Sequence, residues 1–308
     1  MPKSPAPIAI GMPVQNGAEF ISEAISSLQA QDFGDYELVI SDNASTDETE
    51  KICRALALED PRIRYKRLAS PVPALSNFLS VLEETSSPLF MWAAHDDLWE
   101  NNWIRTLMPC FETESTVGAI GRLETIDCDA IPMLGHPAHG AHLKMANSRY
   151  YEFRALRFVA AWEGAGKANL IYSIFRTHAV KSTMREALTR SVDFDCAVVL
   201  GLLAHGAIEV VPETTFRKRV CKIEKDAAST LLVRHSTVFV DWRGIFAQYA
   251  RARAYDSESN RALLQYRITA PKILSYAVSG LVLAKRVERW LRRATRLPKV
   301  LSQRPHRN

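Results

Sequence analysis

The sequence lacks several signatures, and each absence closes off a class of protein. No uninterrupted apolar run approaches the ~20 residues needed to cross a bilayer. The opening Met1-Pro2-Lys3-Ser4-Pro5 leads straight into a strand pattern, without the apolar segment of a signal peptide. A soluble or peripheral protein is expected. The five cysteines, Cys53, Cys110, Cys128, Cys196 and Cys221, contain no CxxC pair. Scattered and odd in number, they read as reduced thiols of a cytosolic chain, many of them core fillers. No GxGxxG follows the first strand pattern, and no GxxxxGK followed by Ser or Thr occurs anywhere. A dinucleotide fold and a P-loop are thereby disfavoured. Charge is unevenly placed along the chain. The net charge is +5, yet residues 271–308 alone carry +9, which leaves −4 for the rest. A general nucleic-acid binder would spread basic residues through its core domain as well, so no nucleic-acid partner is expected.

With 308 residues and 47% hydrophobic content, the chain can bury one large α/β domain and still carry an appendage. Residues 8–14 form a short apolar strand pattern that ends in the turn residues Asn16-Gly17. Phe20, Ile21, Ala24, Ile25 and Leu28 then fall at helical spacing. A second strand over 36–40 stops at Ser41-Asp42-Asn43-Ala44-Ser45. Ser45 with Glu48 three residues later makes a capping box for the next helix. A strand over 62–68, a helix over 74–84 and a strand over 89–93 complete the series. This alternation predicts a mainly parallel sheet with right-handed crossovers, flanked by helices.

The strand over 89–93 ends abruptly in His95-Asp96-Asp97, followed at once by Leu98-Trp99. Strands buried on both faces emerge at the carboxyl edge of a parallel sheet, where open α/β sheets bind ligands. Two adjacent carboxylates there suit a hard divalent cation bridging to phosphate. Alternatively, Asp97 caps a helix with Glu100 as its partner. Asp42 ends a different strand on the same edge. It either accepts from a nucleobase N–H or ribose hydroxyls, or closes an Asx-turn. A nucleotidyltransferase would want a glycine-rich, basic loop after the first strand, whereas Gln15-Asn16-Gly17-Ala18-Glu19 is acidic.

Three ordered motifs, Pro13-Val14-x-Asn16-Gly17, Leu38-Val39-Ile40-Ser41-Asp42-Asn43-Ala44-Ser45-Thr46-Asp47 and Trp92-Ala93-Ala94-His95-Asp96-Asp97-Leu98-Trp99, resemble the family 2 glycosyltransferases of GT-A fold. The resemblance covers roughly residues 8–219. It implies a nucleotide-sugar donor lying across the first strands, with Pro13, Val14, Asn16 and Asp42 near the nucleobase and ribose. Asp96-Asp97 matches the family's DXD-type motif. There Asp97 would hold Mn²⁺ or Mg²⁺ against the diphosphate, and Asp96 would contact ribose or metal. His95 stands where many relatives have a further acid and would hydrogen-bond ribose or bind the metal. Asn77 aligns with a donor-contacting position, or else satisfies backbone groups inside the fold. Before it, Pro71-Val72-Pro73 replaces the Asn-Leu-Gly common in relatives.

Further along, residues 117–127 return toward the sheet and 131–147 read as an irregular loop. His136, His139 and His142 in that loop invite a zinc reading, but Gly135, Pro137 and Gly140 break the helix that would align them. A solvated, substrate-facing loop is the alternative. A strand over 170–175 and a helix from about Thr177 follow, in a segment (Asn169 to Arg176) similar to the family's floor of the acceptor site. Asp193-Phe194-Asp195 opens a helix whose apolar face is Val198, Val199, Leu202 and Leu203, with Gly206 as its stop. The family's catalytic base lies eleven residues before that glycine, which selects Asp195. Alternatively both acids are helix-start residues favoured by the dipole, and Asp193 is only that. After a strand over 208–212, Arg217 and Arg219 either reach the diphosphate or form a solvated turn.

Two domains are expected: a GT-A domain over 1–225 and a helical region over 226–308. In the latter, Leu283, Val287, Trp290, Leu291, Ala294 and Leu297 share one helical face. Lys285, Arg286, Arg289, Arg292, Arg293 and Arg296 share the other. That pattern suits a helix lying in a membrane interface, or one packed on the catalytic domain or a second subunit. The resulting expectation is an inverting transferase, peripheral on the inner face of the cell membrane. It would move a sugar from a nucleotide donor, UDP favoured, to a cell-surface polysaccharide or lipid-linked acceptor. A catalytically silent nucleotide-sugar-binding protein is the alternative.

Overall fold

The computed structural model describes residues 4–136, 167–187, 194–203 and 205–221. The chain divides into two units, Met1–Arg253 and Ala254–Asn308, and every described residue belongs to the first. The expected boundary at 225/226, the basic tail, Asp193, His139 and His142 lie outside the described residues.

The first half follows the hydrophobic pattern closely. It runs β1 (Ile8–Val14), α1 (Ile21–Gln29), β2 (Tyr36–Asp42), α2 (Thr49–Glu59), β3 (Ile63–Arg67), α3 (Ala74–Glu83) and β4 (Leu89–Trp92). Every residue of β1 and β4 is buried, which is why both read as unbroken apolar runs rather than alternating ones. Helix α1 buries Ile21, Ala24, Ile25 and Leu28, the i, i+3, i+4, i+7 stripe of a helix laid on a sheet. Pro13 is tolerated in a central strand for a local reason. Gly11 C=O already accepts from Ala93, at the end of β4, so the missing N–H two residues on would face the space beyond that strand.

The second half holds β5 (Leu98–Trp99), α4 (Trp103–Leu107), β6 (Thr116–Ile126), a 3-10 segment (Lys167–Tyr172), β7 (Ile174–Arg176), α5 (Thr177–Ala187), α6 (Phe194–Leu202) and β8 (Ala207–Arg219). All eight strands form one sheet in the order β3-β2-β1-β4-β7-β6-β8-β5. The first four are mutually parallel, joined by helical crossovers. Beyond β4 the sheet is mixed: β7 is antiparallel to β4 and β6, and β5 is antiparallel to β8. The expected mainly parallel sheet flanked by helices is the observed architecture.

Four local expectations are corrected. Ser45 does not cap α2: its Oγ accepts from Asn16 N at 2.9 Å, and Asp47 Oδ1 serves Thr49 N instead. The strand expected over 170–175 is mostly the 3-10 segment, because Ser173 Oγ and N both return to Leu170 O and close a turn there. The strand expected to stop at Pro212 runs on to Arg219. Its ladder with β6 skips residues 212–214 and resumes at Arg122↔Thr215, so the proline sits in the irregularity. Finally, the cysteines are not all reduced. Cys128 and Cys221 are joined with their Cα atoms 5.0 Å apart, while Cys53 and Cys110 are free. The bridge ties the turn after β6 to the residues just past β8, a pairing that a separation of 93 residues conceals.

Candidate active site

Because β1, β2 and β4 are parallel, their carboxyl ends open on one edge. The register sets Val14 opposite Asp42, and β4 pairs with β1 up to Gly11↔Trp92. Asn16, Asp42 and His95-Asp96-Asp97 are therefore neighbours there, as the sequence predicted. The loops carrying them are stitched together by side chains. Asn16 takes a positive φ of 53° and accepts from Thr46 N at 2.8 Å through Oδ1. Gly17 N donates to Thr49 Oγ1 at 2.9 Å, and Ala18 N to Asp47 Oδ2 at 3.0 Å. Glycine is required at position 17, because a Cβ there would lie 2.6 Å from His95 Cδ2 and 2.7 Å from Val14 Cγ2. The His95 imidazole thus covers the turn after β1, and its burial there lowers its pKa.

Several predicted donor contacts serve the scaffold. Asp42 is fully buried, accepting from Ser45 N at 2.9 Å and from the Tyr65 hydroxyl at 2.6 Å. The Asx-turn is real, and both carboxylate oxygens hold the loop. Desolvation, with Asp42 adding to it, pushes the Tyr65 hydroxyl well above its usual range. Asn77 is buried in α3 and donates to Ser41 O at 3.0 Å, so it ties α3 to β2. The altered Pro71-Val72-Pro73 loop is fastened by Asn43, whose amide donates to Val72 O at 2.9 Å and accepts from Val72 N at 2.8 Å. Pro13 and Val14 are buried at the end of β1. Of these residues, Asn16 is exposed.

The acids at the end of β4 behave differently. Asp97 caps no helix: β5 follows it directly, and α4 begins only at Trp103. Its carboxylate is wholly buried, accepting from Lys218 Nζ at 3.0 Å and Arg219 N at 2.9 Å. Burial pushes Asp97 up to about 6 even with the Lys218 ammonium beside it. Asp96 is half-buried, and among the described residues its backbone oxygen accepts from Arg219 Nε at 2.8 Å. Arg217 and Arg219 are not free for a diphosphate. Arg217 pairs with Glu100 at 2.9 Å and Glu124 at 3.5 Å. The Arg219 side chain is 1% exposed and spans Asp96 O, Cys128 O and Glu23, with Phe20 beneath it.

Tyr172 links these acids to Asp195. Its hydroxyl is pushed up to about 12, by burial first, with Lys218 acting in the opposite direction and Asp97, Asp96 and Asp195 all raising it further. The three predicted acids therefore act on one phenol, and Lys218 stands over its ring at 5.1 Å. Asp195 sits in the first turn of α6. That helix start is held against the sheet by Phe194, edge-on to Phe78 at 5.1 Å, which in turn meets Trp92 at 6.0 Å. Tyr172 and Lys218 were missed in the sequence. A strand alternation sets Lys218 apart from both flanking arginines, but only the pairing of β8 shows which face meets the acids.

A divalent ion at Asp97 would stand beside the Lys218 ammonium, a like charge 3.0 Å from Oδ2. Among the described residues, no group of three or more His, Cys, Asp or Glu side chains is placed to hold a metal.

Solved structures share this architecture. Staphylococcus aureus TarS 1-349 in complex with UDP-GlcNAc matches with a TM-score of 0.59 at 15% identity, over 88% of this chain and 72% of that one. The mannosyltransferase PcManGT of Pyrobaculum calidifontis, in complex with GDP-Man and Mn²⁺, matches with a TM-score of 0.55 at 14% identity, over 93% and 81%. The fold is that of the GT-A glycosyltransferases. Residues 9–164 match Glycosyl transferase family 2, and the chain belongs to that family. One curated relative is the GalNAc(5)-diNAcBac-PP-undecaprenol beta-1,3-glucosyltransferase of Campylobacter jejuni, 37% identical over 65 residues, 21% of this chain and 20% of the relative. Another is an uncharacterized glycosyltransferase of Rickettsia typhi, 31% identical over 97 residues, 32% of this chain and 29% of the relative. The chain thus spans less than a third of either relative's length.

Proposed function

We propose that the chain transfers a sugar from a nucleoside-diphosphate donor to an acceptor hydroxyl, with inversion at the anomeric carbon. The observation that carries this reading is the placement of Asp96 and Asp97 just past the end of β4, on the carboxyl edge of the parallel strands where α/β folds bind ligands. Asp195 takes the proton of the acceptor hydroxyl. The new bond to the anomeric carbon forms as the bond to the diphosphate oxygen breaks, and the electron pair leaves with the diphosphate. General-base help of this kind is worth about 10²–10⁴-fold. Asp96, whose carboxylate takes no hydrogen bond from the described residues, receives the ribose, with His95 beside it. Pro13, Val14 and Asn16 border the base, and Asp42 and Asn77 hold the shape of that pocket. Mn²⁺ or Mg²⁺ at Asp97 and Asp96 would neutralise the leaving diphosphate. Lys218 Nζ lies 3.0 Å from the same Asp97 carboxylate.

UDP is the favoured donor nucleotide, supported by the UDP and UDP-GlcNAc complexes of TarS. A lipid-linked saccharide is the favoured acceptor, supported by the undecaprenol-linked substrate in the name of the Campylobacter relative. The basic amphipathic pattern of residues 283–297 adds a means of reaching such an acceptor at the inner membrane face. No helix among the described residues is long and apolar enough to cross a membrane. The test is Asp195→Asn: donor binding by thermal shift persists while transfer falls by about 10²–10⁴-fold. Donor binding by the unaltered chain with no turnover across a broad acceptor panel would instead favour a silent nucleotide-sugar-binding protein.

A further inference from the structure

We propose that Lys218 is the cation that meets the donor diphosphate, with Asp97 as its positioning partner, so that the nucleotide binds without a divalent ion. This rests on the donor reading above and deepens it. Three basic residues stand in a row at the end of β8, and the outer two are committed elsewhere. Arg217 is turned to Glu100 and Glu124, and Arg219 is locked over Phe20 against Glu23 and backbone carbonyls. Lys218 alone points among the catalytic acids, 3.0 Å from Asp97 Oδ2 and 5.1 Å from the Tyr172 ring centre.

The exposures of the two partners differ in a telling way. Asp97 is 0% exposed, while the Lys218 side chain retains 22%. Of the pair, the lysine is the partner with side-chain surface open to solvent. A lysine ammonium carries three protons. Asp97 takes one and the Tyr172 face borders the group, which leaves donor capacity for phosphate oxygens. Lysine serves as a point charge in other phosphate sites for the same reason. A hydrated Mg²⁺, by contrast, dehydrates reluctantly. To coordinate Asp97 it would have to sit against the Lys218 ammonium, a like charge 3.0 Å from Oδ2 at a fully buried carboxylate. Charge complementarity at the diphosphate thus falls to a side chain of the chain itself.

Calorimetric titration of the full chain tests this, using UDP and uridine in EDTA and again with MnCl₂. The unaltered chain binds UDP in EDTA within about threefold of its affinity in Mn²⁺. Lys218→Met weakens UDP by at least tenfold, the loss of one charge-assisted contact of about 1.4 kcal/mol or more. Mn²⁺ does not restore it, Lys218→Arg recovers part of it, and uridine binding is unchanged because uridine carries no phosphate. That last arm separates loss of a diphosphate contact from loss of the fold. UDP binding that vanishes in EDTA and returns with Mn²⁺ would overturn the inference, as would unaltered UDP affinity in Lys218→Met. If the unaltered chain binds none of UDP, GDP and dTDP under either condition, the donor reading fails and the inference with it.

Discussion

Arg219→Met offers the sharpest physical prediction about how the site is built. Arg219 is buried to 1% exposure yet reaches Glu23 at 2.6 Å, Asp96 O at 2.8 Å and the carbonyls of Asp127 and Cys128. Methionine fills much of the same volume but donates nothing. Glu23 is half exposed and can be rehydrated, so its loss costs little. The three carbonyls are another matter, since leaving a buried acceptor unsatisfied costs about 1–3 kcal/mol. Breaking a buried charged network in this way costs about 3–5 kcal/mol in all. With a urea m-value near 3 kcal/mol/M for a domain of this size, the denaturation midpoint falls by roughly 1–1.7 M. Arg219→Lys recovers less than half, because an ammonium cannot reproduce the planar fork. Donor affinity falls as well, since Arg219 fixes the backbone of Asp96. A loss below about 1 kcal/mol for Arg219→Met would refute the view that this residue braces the site.

Three further outcomes are expected. Gly17→Ala drives a Cβ to within 2.6 Å of His95 and costs about 1–3 kcal/mol by denaturant titration; adding His95→Ala restores part of that, and no restoration would show that the ring is not the obstacle. The Arg62 guanidinium hydrogen-bonded to Asp60 holds its carboxyl well below the usual carboxylate range. The folded state then binds fewer protons than the unfolded chain, so the pair contributes fully above about pH 4 and fades as pH falls toward the depressed value. Asp60→Asn accordingly loses about 1.5–3 kcal/mol at pH 7, and its gap to the unaltered chain narrows in acid; a gap independent of pH would contradict the assignment. Liposomes rich in anionic lipid pellet the full chain more than a version ending near Pro271, and equal pelleting would remove the membrane role of the tail.

How much of this was legible in the sequence depended on how local the cause was. The βα alternation through β4 could be read directly, because apolar periodicity in 8–93 is set within each segment. The placement of Asp42 and Asp96-Asp97 on one edge followed from parallel connectivity alone. Ser45 misled because its capping geometry competes with a partner 29 residues away, the Asn16 N–H. Asn77 looks like a site residue in sequence, and Asn43 follows Asp42 in the same motif. Folding spends their amides on Ser41 O and on the Val72 backbone, and no local pattern announces that. Lys218 was hidden between two arginines, and its assignment to Asp97 depends on contact across 121 residues. The Cys128–Cys221 pairing is of the same non-local kind.

The central claim is that Asp195 faces the anomeric carbon from the side opposite the leaving diphosphate. A crystal structure of the chain with an unreactive UDP-sugar analogue measures this most directly. The account predicts the Asp195 carboxylate across the sugar ring from the diphosphate, with room between carboxylate and anomeric carbon for an acceptor hydroxyl. Asp195 on the diphosphate side, or separated from the sugar by more than that hydroxyl, would contradict it.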